Sequence, residues 1–566
     1  MNYRWTFREY ADEDTIHNLA ESLKIPKTLA KVLAVRGVLT KPEAEKFFQP
    51  SLDDIHDPFL MLDMDKASDR IMKAVENGEG IWIHGDYDVD GTSSTASLLQ
   101  FLRELGGTVD FFIPDRFQDG YGISKRSIDD AKAKNCTLLI SVDVGVTNIE
   151  PVKYANSLGM EVVICDHHEP TDTLPDAYAI LDPIRPNCNY PFKYLAACGV
   201  VFKLIQAICI KLGTPDRALD YLDFVALASI ADMVPLLGEN RAFVHFGLIR
   251  LNVNTRPGFK GLLHCTRLKI GQINASNIVF AVAPIINAAG RMGDAIRSVE
   301  MMIQKDEISA FHIAQQLEDE NRKRRVFDLQ TFEEAIPLAQ KQVDDGAHCL
   351  VIHNPTWHPG VIGIVASRLV DRFNMPTVLM TTIEGHAKGS ARSIKNFDVH
   401  AGLKAASHLL IEYGGHKHAA GLSLDEDKIP AFKVIFDGMA VEKLSVDMLH
   451  PEIIIDSELK LTELTPHFFK SLNQFAPYGY NNFKPVFFSK SVKSQNGIKI
   501  VGNNIIKFRA MQNNFVIDAI GYNLIEKFSI CSSGKPFSIL YNLEMNSFNG
   551  QNTPQLYLRD IKVDDE

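Results

Sequence analysis

One short stretch of the sequence carries an unusual density of ionisable side chains. In Gly80-Ile-Trp-Ile-His-Gly-Asp-Tyr-Asp-Val-Asp-Gly91, one histidine and three aspartates fall within seven residues: His84, Asp86, Asp88 and Asp90. Carboxylates this close raise each other's pKa in a partly dehydrated site unless a positive charge lies among them, and a divalent cation is the simplest such charge. An EF-hand calcium loop does not fit, because the twelfth position counted from Asp86 is Ser97 instead of Glu. On this stretch alone, a solvated acidic turn remains the alternative.

The elements around this stretch are predicted to belong to a larger alternating pattern. Ile81–Ile83 is a short apolar run typical of a buried strand, and Thr95–Leu105 has the spacing of an amphipathic helix. The following elements are predicted, in chain order, as strand Thr108–Ile113, a helix from Ser124, strand Thr137–Val142, helix Ile149–Leu158, strand Glu161–Ile164 and strand Ala177–Leu181. This alternation predicts a mostly parallel sheet covered by helices on both faces, with sites at the carboxyl ends of its strands.

Side chains with ligand chemistry stand where the next strands stop. Leu138–Val142 ends at Asp143, and Val162–Cys165 ends at Asp166-His167-His168. Asp232 follows the apolar helix Tyr221–Ala231, where the helix dipole disfavours an anion without a positive partner. One such aspartate is often only a cap, but three strands that deliver carboxylates and imidazoles to one edge predict a metal centre. Oxygen and imidazole ligands without thiolate favour manganese or magnesium over structural zinc.

Length, charge and cysteine usage limit the class of protein. A chain of 566 residues predicts roughly three to five domains. The net charge of −11 means that a polyanion would need a local basic patch. The eight cysteines are scattered singly without a C-x-x-C pair, which predicts reduced thiols in a cytoplasmic protein. We find no signal-peptide pattern and no apolar run of about eighteen residues, so we expect neither secretion nor a membrane span.

Changes of pattern along the chain predict its domains. They are, in order, an N-terminal helical packing segment (1–79), the parallel-sheet domain (80–300), a long polar connecting helix (301–345), a smaller α/β domain (346–450) and an all-β domain (451–566). In the connecting helix, the basic run Arg322–Arg325 is either a solvated face or a set of phosphate contacts. Short strands between Gly, Asn and Ser turns favour an OB-fold barrel for the last domain. The candidates for binding a single strand in this domain are Phe487, Phe488, Lys490 and Lys493. The alternative for the two aromatic residues is a place in the barrel core.

Ordered motifs in two domains carry a family resemblance. In the first domain they are His84-x-x-x-Asp88-x-Asp90, Asp143, Asp166-His167-His168 and Asp232, and they continue as Asn287–Gly293, Gly389–Ser393 and Gly414–Gly421. Over nearly the whole chain, these motifs resemble the DHH phosphoesterase superfamily and, within it, the RecJ family of single-strand-specific DNA exonucleases. The resemblance implies an α/β fold: a parallel-sheet DHH domain, a smaller α/β DHH-associated domain joined to it by a long helix, and an all-β OB-fold domain.

The resemblance also implies a ligand set for two divalent cations, Mn²⁺ or Mg²⁺. One ion would take His84, Asp88 and Asp143, and the other would take Asp90, Asp143, His167 and Asp232. Asp143 would then bridge ions about 4 Å apart, the separation of two-metal phosphoesterases, in which both ions stabilise an in-line displacement at phosphorus. The catalytic residues would be Asp143, His167 and His168, with His168 free to contact the scissile phosphate. Asp86 and Asp166 would not bind the ions but would hydrogen-bond to the residues that do, Asp86 by orienting His84.

The second domain would hold the substrate across a cleft from the metal centre. Small residues around Arg392 allow backbone amides and a guanidinium to reach one phosphate together. By resemblance, Arg392, Ser393 and His416 would bind a terminal phosphate or the adjacent nucleotide. Asn287, Arg291 and Ser390 complete the expected substrate-binding set.

The implied activity is hydrolysis of single-stranded DNA from the 5′ end to mononucleotides, in recombination and repair. The implied partners of this expected monomer are single-stranded DNA, a single-strand-binding protein and a helicase of the RecQ type. One alternative is a DHH-type oligonucleotide or dinucleotide phosphodiesterase, which the barrel argues against because a two-nucleotide substrate needs no extended groove. Another is a non-catalytic single-strand-binding scaffold, which the filled ligand positions argue against.

Overall fold

The N-terminal segment shares its buried cores with two other parts of the chain. The computed structural model describes residues 3–10, 12–502, 504–548 and 551–564. The segment contains β1 (Arg4–Phe7), α1 (Glu13–Leu23), α2 (Lys27–Val35), α3 (Lys41–Phe48) and α4 (Met64–Glu76). A capping box between Thr40 and Glu43 starts α3. Leu29, Leu33 and Phe47 share one buried core with the C-terminal barrel, whereas α4 packs on the sheet domain.

The sheet domain has the predicted parallel architecture. Its first elements are β2 (Gly80–His84), α5 (Val89–Glu104), β3 (Thr108–Phe112), α6 (Lys125–Ala133), β4 (Cys136–Val142), α7 (Ile149–Ser157), β5 (Glu161–Cys165) and β6 (Ala179–Leu181). The strand order is β3-β2-β4-β5-β6, and every pair is parallel. Successive residues of a strand point to opposite faces, so Leu138 and Ile140 enter one core while Leu139 enters the other. The prediction of a sheet covered on both faces is confirmed.

Helices complete this domain and lead to the next one. They are α8 (Ala197–Lys211), α9 (Leu222–Ala231), α10 (Gly238–Val253), α11 (Pro257–Thr266), α12 (Ala275–Asn277), which continues as a π-helix over Ile278–Val282, α13 (Ala283–Met292) and α14 (Ile296–Met302). The connecting helix α15 (Glu307–Asp344) is 38 residues long and is capped by Asp306. Within it Arg322 pairs with Glu318 and Arg324 pairs with Asp328, which favours an ion-paired face over phosphate contacts. In the described residues, no helix combines the length and apolar character needed to cross a membrane.

The smaller α/β domain follows the connecting helix. It consists of β7 (Leu350–His353), α16 (Pro359–Phe373), β8 (Thr377–Ile383), β9 (His386–Arg392), α17 (Val399–Ala405), β10 (Leu410–Gly415), β11 (Ala419–Asp425) and α18 (Ile429–Lys443). The sheet order is β10-β11-β9-β8-β7, with only β7 and β8 parallel. The glycine-rich segments of the sequence lie in β9 and at the end of β10, so strands hold them in place.

The C-terminal domain is a closed β-barrel with an added strand pair. Its elements are β12 (Glu452–Ile455), β13 (Ser457–Glu458), α19 (Pro466–Asn473), β14 (Phe487–Val501), β15 (Ile505–Gln512), β16 (Phe515–Tyr522), α20 (Phe528–Ser532), β17 (Phe537–Phe548) and β18 (Gln551–Val563). Pairing of β14 with β17 closes the barrel. Strand β12 lies outside the barrel sheet and pairs in parallel with β1.

Two aromatic candidates for strand binding are wrong. Phe487 is fully buried against Phe468 and Tyr541. Phe488 is packed edge-on against Trp5 and Phe7 of the N-terminal strand. These rings fill the barrel core and its junction with β1 because alternate residues of β14 point inward, and they are not a platform for bases.

Candidate metal centre and substrate cleft

The aspartate-rich loop is folded back on itself by the start of α5. The helix begins at Val89 instead of the predicted Thr95, because Asp88 caps it: its Oδ1 accepts from the backbone N–H groups of Asp90, at 2.8 Å, and Gly91, at 3.1 Å. A Cβ at Gly91 would collide with the backbone of Asp86, so glycine is required there. The tight turn brings Asp86, Asp88 and Asp90 to one side of the helix N-terminus, where the dipole favours anions.

Strand β4 delivers its aspartate through a strained turn. Asp143 has a φ of +65°, in the left-handed region that costs a non-glycine residue energy. Its N–H donates to the Cys165 carbonyl at 3.0 Å, and Gly145 follows at a φ of +126°. The turn therefore holds the Asp143 carboxylate at the edge of the sheet instead of letting it cap the next helix.

Ligand atoms from four remote segments converge at this edge. Three groups have ligand atoms within 4.8 Å of one another: Asp86, Asp88 and Asp143; Asp90, His167 and Asp232; and Asp143, His167 and His168. The Nε2 of His167 lies 3.3 Å from Asp143 Oδ1 and 3.8 Å from carboxylate oxygens of Asp90 and Asp232. Asp143 and His167 each belong to two groups, so the arrangement offers two neighbouring cation positions.

The electrostatics of this cluster fit divalent cations. Burial, followed by the charges of Asp90, Asp88 and the other acids, raises the pKa of Asp143 well above its ordinary value. Burial and Asp88 raise the pKa of Asp90 to about 7, although two backbone N–H groups donate to it. Asp86 Oδ1 is buried and has no hydrogen-bond partner among the described residues. Burial lowers the pKa of His167 to about 4, which leaves its nitrogen neutral and able to ligate. Crowded anions beside a neutral imidazole form a site that cations would stabilise.

His84 does not join this cluster, which corrects the predicted ligand set. Its Nε2 lies 3.2 Å from the Gly122 carbonyl, and its Nδ1 lies 2.7 Å from Ser127 Oγ. A carbonyl only accepts, so Nε2 carries the proton and donates, while Nδ1 accepts from the serine hydroxyl. Neither nitrogen keeps a lone pair for a metal. Burial lowers the pKa of His84 to about 4, in agreement with a neutral ring. The prediction that Asp86 orients His84 falls with it, because Asp86 lies among the candidate ligands.

Asp166 lies behind the two histidines. Its Oδ1 accepts from the His167 N–H at 2.8 Å and from His168 Nδ1 at 2.7 Å, and its Oδ2 accepts from the Val146 N–H at 2.9 Å. Burial alone would raise the pKa of Asp166, but its hydrogen bond to His168 and the charge of that ring lower it instead. Burial opposes protonation of His168 as well, yet Asp166 raises the pKa of His168 to about 9. His168 is therefore an imidazolium at neutral pH.

A cleft of about 800 Å³ separates the metal centre from the smaller α/β domain. Its lining includes the cationic side chains Arg116, His168, Arg291, Lys388 and Arg392. Arg392 Nη1 donates to Ser390 Oγ at 2.9 Å and to the Ala391 carbonyl at 2.8 Å. Gly363 makes room for this guanidinium, because a Cβ there would meet Arg392 and Ser390. On a chain of net charge −11, the cleft is the local basic patch that a polyanion would need.

The predicted substrate-binding residues divide into two sets. Arg291, Ser390, Arg392 and His416 line the cleft. Asn287 and Ser393 have structural contacts instead: Asn287 Oδ1 accepts from the Val89 N–H at 3.1 Å, and Ser393 Oγ donates to the Phe397 carbonyl at 2.7 Å. Ser393 is thus not available to a phosphate, because its hydroxyl closes the turn after β9.

The cleft-lining residues that sequence reasoning missed include Arg116, Tyr121 and Lys388. The Arg116 guanidinium stacks over the Tyr87 ring at 5.2 Å, and Tyr121 OH lies 3.4 Å from His168. Arg116 and Tyr121 lie in the loop that follows β3. The rule that sites form at strand ends would have found them, had it been applied to this strand as well.

A second groove, of about 650 Å³, runs between the sheet domain and the barrel. It passes Met233, the neighbour of Asp232, and its lining includes Phe280, Tyr480, Phe483, Lys484 and Arg559. The exposed fractions of Phe280 and Phe483 are 78% and 54%, which is large for such side chains. The groove places exposed aromatic and basic side chains beside the metal centre.

Comparisons with known proteins agree with this architecture. The DHH family N-terminal domain matches residues 80–229, the DHHA1 domain matches 345–441 and the RecJ OB domain matches 455–560. The single-stranded-DNA-specific exonuclease RecJ of Bacillus subtilis is 35% identical over 99% of this chain and 71% of its own length. RecJ of Escherichia coli is 32% identical over 95% of this chain and 96% of its own.

Solved structures show the same relationship. RecJ of Thermus thermophilus in complex with Mn²⁺ superposes with a TM-score of 0.85 at 27% identity, over 99% of this chain and 79% of that one. A structure of exonuclease RecJ bound to manganese has a TM-score of 0.60 at 33% identity, over 69% of this chain and 98% of that one. By sequence, domain order and fold, the chain belongs to the RecJ family of the DHH phosphoesterases.

Proposed function

We propose that the chain is an exonuclease that hydrolyses single-stranded DNA from the 5′ end and releases mononucleotides. The observation that carries the proposal is the juxtaposition of two candidate cation positions with a cationic cleft wall. A phosphodiester held between them would have its negative charge neutralised from both sides. The relatives named above are single-stranded-DNA-specific exonucleases, and the site has the chemistry that such a reaction needs.

The proposed ligand set follows the geometry. Asp86, Asp88 and Asp143 would hold one ion, and Asp90, Asp143, His167 and Asp232 would hold the other. Two divalent ions held there would supply an activated water and would neutralise charge on the phosphoryl oxygens. Asp166 holds the backbone of His167 and the imidazole of His168 in position through its hydrogen bonds. His168 faces the cleft, where its ring N–H would donate to an oxygen of the scissile phosphate.

The cleft wall gives a physical reason for a preference for strand ends that bear a phosphate. A terminal 5′-phosphate carries more negative charge than an internal phosphodiester, because its second ionisation has a pKa of about 6. Arg116, Arg392 and the hydroxyl of Ser390 lie where such a group would end the strand. Arginine forms paired, charge-assisted hydrogen bonds with phosphate, so these residues select an end that bears a phosphate. His416 lines the same wall and binds beside it.

The groove between the sheet domain and the barrel supports a polymeric substrate. Exposed Phe280 and Phe483 offer surfaces on which unpaired bases stack, and Arg559 offers a contact to the backbone, whereas Lys484 is paired with Glu544 at 2.6 Å. A base pair would cover the faces and edges that this groove needs, which favours single strands over duplex. The dinucleotide phosphodiesterase alternative leaves this groove and the whole barrel without a role.

The cellular setting is part of the proposal. All eight cysteines lie in the described residues, are free, and with the exception of Cys265 are buried, which supports a reducing, cytoplasmic location. We propose that the chain acts as a monomer in recombination and repair. A single-strand-binding protein and a RecQ-type helicase would supply or clear the single strand.

End-labelled DNA tests the proposed activity directly. Purified protein is incubated with Mn²⁺ and with single- or double-stranded DNA labelled at the 5′ or the 3′ end. We expect label released first as a mononucleotide from the 5′ end of single strands, and a steep loss of affinity with rising salt as counterions are released. Release from the 3′ end or equal attack on duplex would refute the assignment. A shallow salt dependence with preference for dinucleotides would support the small-substrate alternative.

A further inference from the structure

Arg241, near the N-terminus of α10, is a buried cation without a carboxylate partner in the part of the chain that the structure describes. It is 2% exposed, and burial lowers its pKa to about 9, so it keeps its charge at neutral pH. Its guanidinium stacks over the Phe47 ring at 3.9 Å. The dipole of α10 disfavours a cation in this position. Other groups must therefore compensate the charge.

The compensating groups are backbone carbonyls from two other parts of the molecule. Arg241 donates to the carbonyls of Phe47 at 2.7 Å, Gln474 at 3.3 Å, Phe475 at 3.2 Å, Ala476 at 2.7 Å and Pro477 at 3.3 Å. Phe47 lies in the last turn of α3, and Gln474 is the C-cap of α19. Because the carbonyl ends of helices carry partial negative charge, Arg241 neutralises two helix C-termini at once. It fastens the sheet domain to the N-terminal helices and to the barrel.

The same barrel segment supports the loop that follows Asp232, the C-cap of α9. This loop, residues 233–237, joins Asp232 to α10. The Leu236 N–H donates to the Tyr480 carbonyl at 3.0 Å, and Asn240 Nδ2 donates to the Pro235 carbonyl at 3.1 Å. Leu236 is 1% exposed and packs against Gly479 so closely that a Cβ on this glycine would collide with it. The C-terminal half of this loop is thus held by α10 at Pro235 and by the barrel segment at Leu236.

We propose that Arg241 is a positioning residue for the metal centre. By fixing the barrel segment 474–480 against α10, it sets the path of the loop that leaves Asp232 at the end of α9, and so the affinity for the ion that Asp232 would hold. This inference rests on the proposed function in that Asp232 is a metal ligand. It gives the barrel a second role beyond contact with DNA, because its seating on the sheet domain helps to shape the metal site.

The test compares the buried Arg241 with the half-buried Arg36, which holds the same barrel loop from another side. Arg241→Met removes every donor but keeps a side chain of similar length. The matched control is Arg36→Met, because Arg36 holds the Asn482 side chain and the Phe483 carbonyl from the N-terminal helices without contact to α10. Mn²⁺ binding to the metal-free, full-length variants is measured by calorimetry and by electron paramagnetic resonance. We expect Arg241→Met to weaken one of the two sites at least about tenfold, the effect of losing a residue that supports a ligand. Arg241→Lys should fall between Arg241→Met and the native protein, and Arg36→Met should bind both ions normally.

Kinetics separate this role from a role in DNA binding. With a 5′-phosphorylated trinucleotide, too short to reach the barrel, Arg241→Met should lower kcat in parallel with the loss of Mn²⁺ affinity. Normal Mn²⁺ affinity in Arg241→Met, with only the KM for long strands raised, would overturn the proposal. If Arg241→Met does not fold, Gly479→Ala disturbs the packing of the same barrel segment on Leu236 and must weaken the same site. Mn²⁺ binding needs no nuclease activity, so failure of the proposed function leaves this measurement decisive.

Discussion

Replacement of Asp86 and of His84 distinguishes two hypotheses about which residues bind the metal ions. The family spacing assigns a ligand role to His84, whereas the structure places Asp86 with Asp88 and Asp143 and leaves His84 in hydrogen bonds to Gly122 and Ser127. We expect Asp86→Asn to lose Mn²⁺ binding at one of the two positions and to lose hydrolysis with it. His84→Gln should keep both ions, because the ring nitrogens of His84 are bonded to Ser127 and Gly122 and do not belong to the ligand cluster.

The magnitudes follow from charge and hydrogen bonding. The ligand atoms of this group lie within 4.8 Å of one another, so an ion among them is a close neighbour of Asp86. One charge–charge contact at about 4 Å is worth about 4 kcal/mol at an effective dielectric constant near 20, or roughly a thousandfold in affinity. His84→Gln loses two neutral hydrogen bonds of about 1 kcal/mol each, which lowers the free energy of unfolding by about 2 kcal/mol and spares the metal.

Calorimetric Mn²⁺ titration and thermal unfolding of the metal-free proteins measure both effects. Burial and Asp88 raise the pKa of Asp86 well above its ordinary value, so Asp86→Asn removes repulsion and should raise the Tm without metal. His84→Gln should lower that Tm. Loss of an ion from His84→Gln, together with normal Mn²⁺ affinity in Asp86→Asn, would refute the reasoning and restore the ligand set that the sequence motif implies.

Three further predictions concern the same site. Asp143→Ala should abolish hydrolysis with the fold intact by circular dichroism, because Asp143 belongs to two ligand groups; near-normal turnover with Mn²⁺ would contradict its shared position. Mn²⁺ affinity should rise between pH 6 and pH 8, because the pKa of Asp90 in the metal-free protein is about 7 and a cation must displace its proton; a flat titration over this range would count against the raised pKa. Arg392→Ala should raise the KM for 5′-phosphorylated strands and leave the KM for 5′-hydroxyl strands unchanged, as competition between the two substrates would show; equal loss for both would argue against a phosphate contact.

The parallel sheet and its site-bearing edge were predictable because both depend on local pattern. Short apolar runs between amphipathic helices predict β2, β4 and β5 nearly at their observed bounds, and parallel strands must present their carboxyl ends together. The convergence of Asp88, Asp143 and His167 follows from that rule alone. The structure adds the order of the strands, which sequence pattern does not determine.

The errors arise where a contact joins distant parts of the chain. Whether His84 or Asp86 faces the metal position depends on Ser127, 43 residues away, which takes the lone pair of His84. The core that residues 16–47 share with the barrel depends on contacts across more than 400 residues. Phe487 has the alternation of a strand with one exposed face, and only closure of the barrel decides that its ring points inward. Local periodicity carries no information about such partners.

Anomalous diffraction from Mn²⁺-soaked crystals tests the central claim most directly, because it locates the ions without reference to activity. Two peaks are predicted at the carboxyl edge of the parallel sheet, one bounded by Asp86, Asp88 and Asp143 and the other bounded by Asp90, His167 and Asp232, both at the floor of the arginine-lined cleft. A single peak elsewhere, or an ion bound by His84 with Asp86 turned away, would contradict the account.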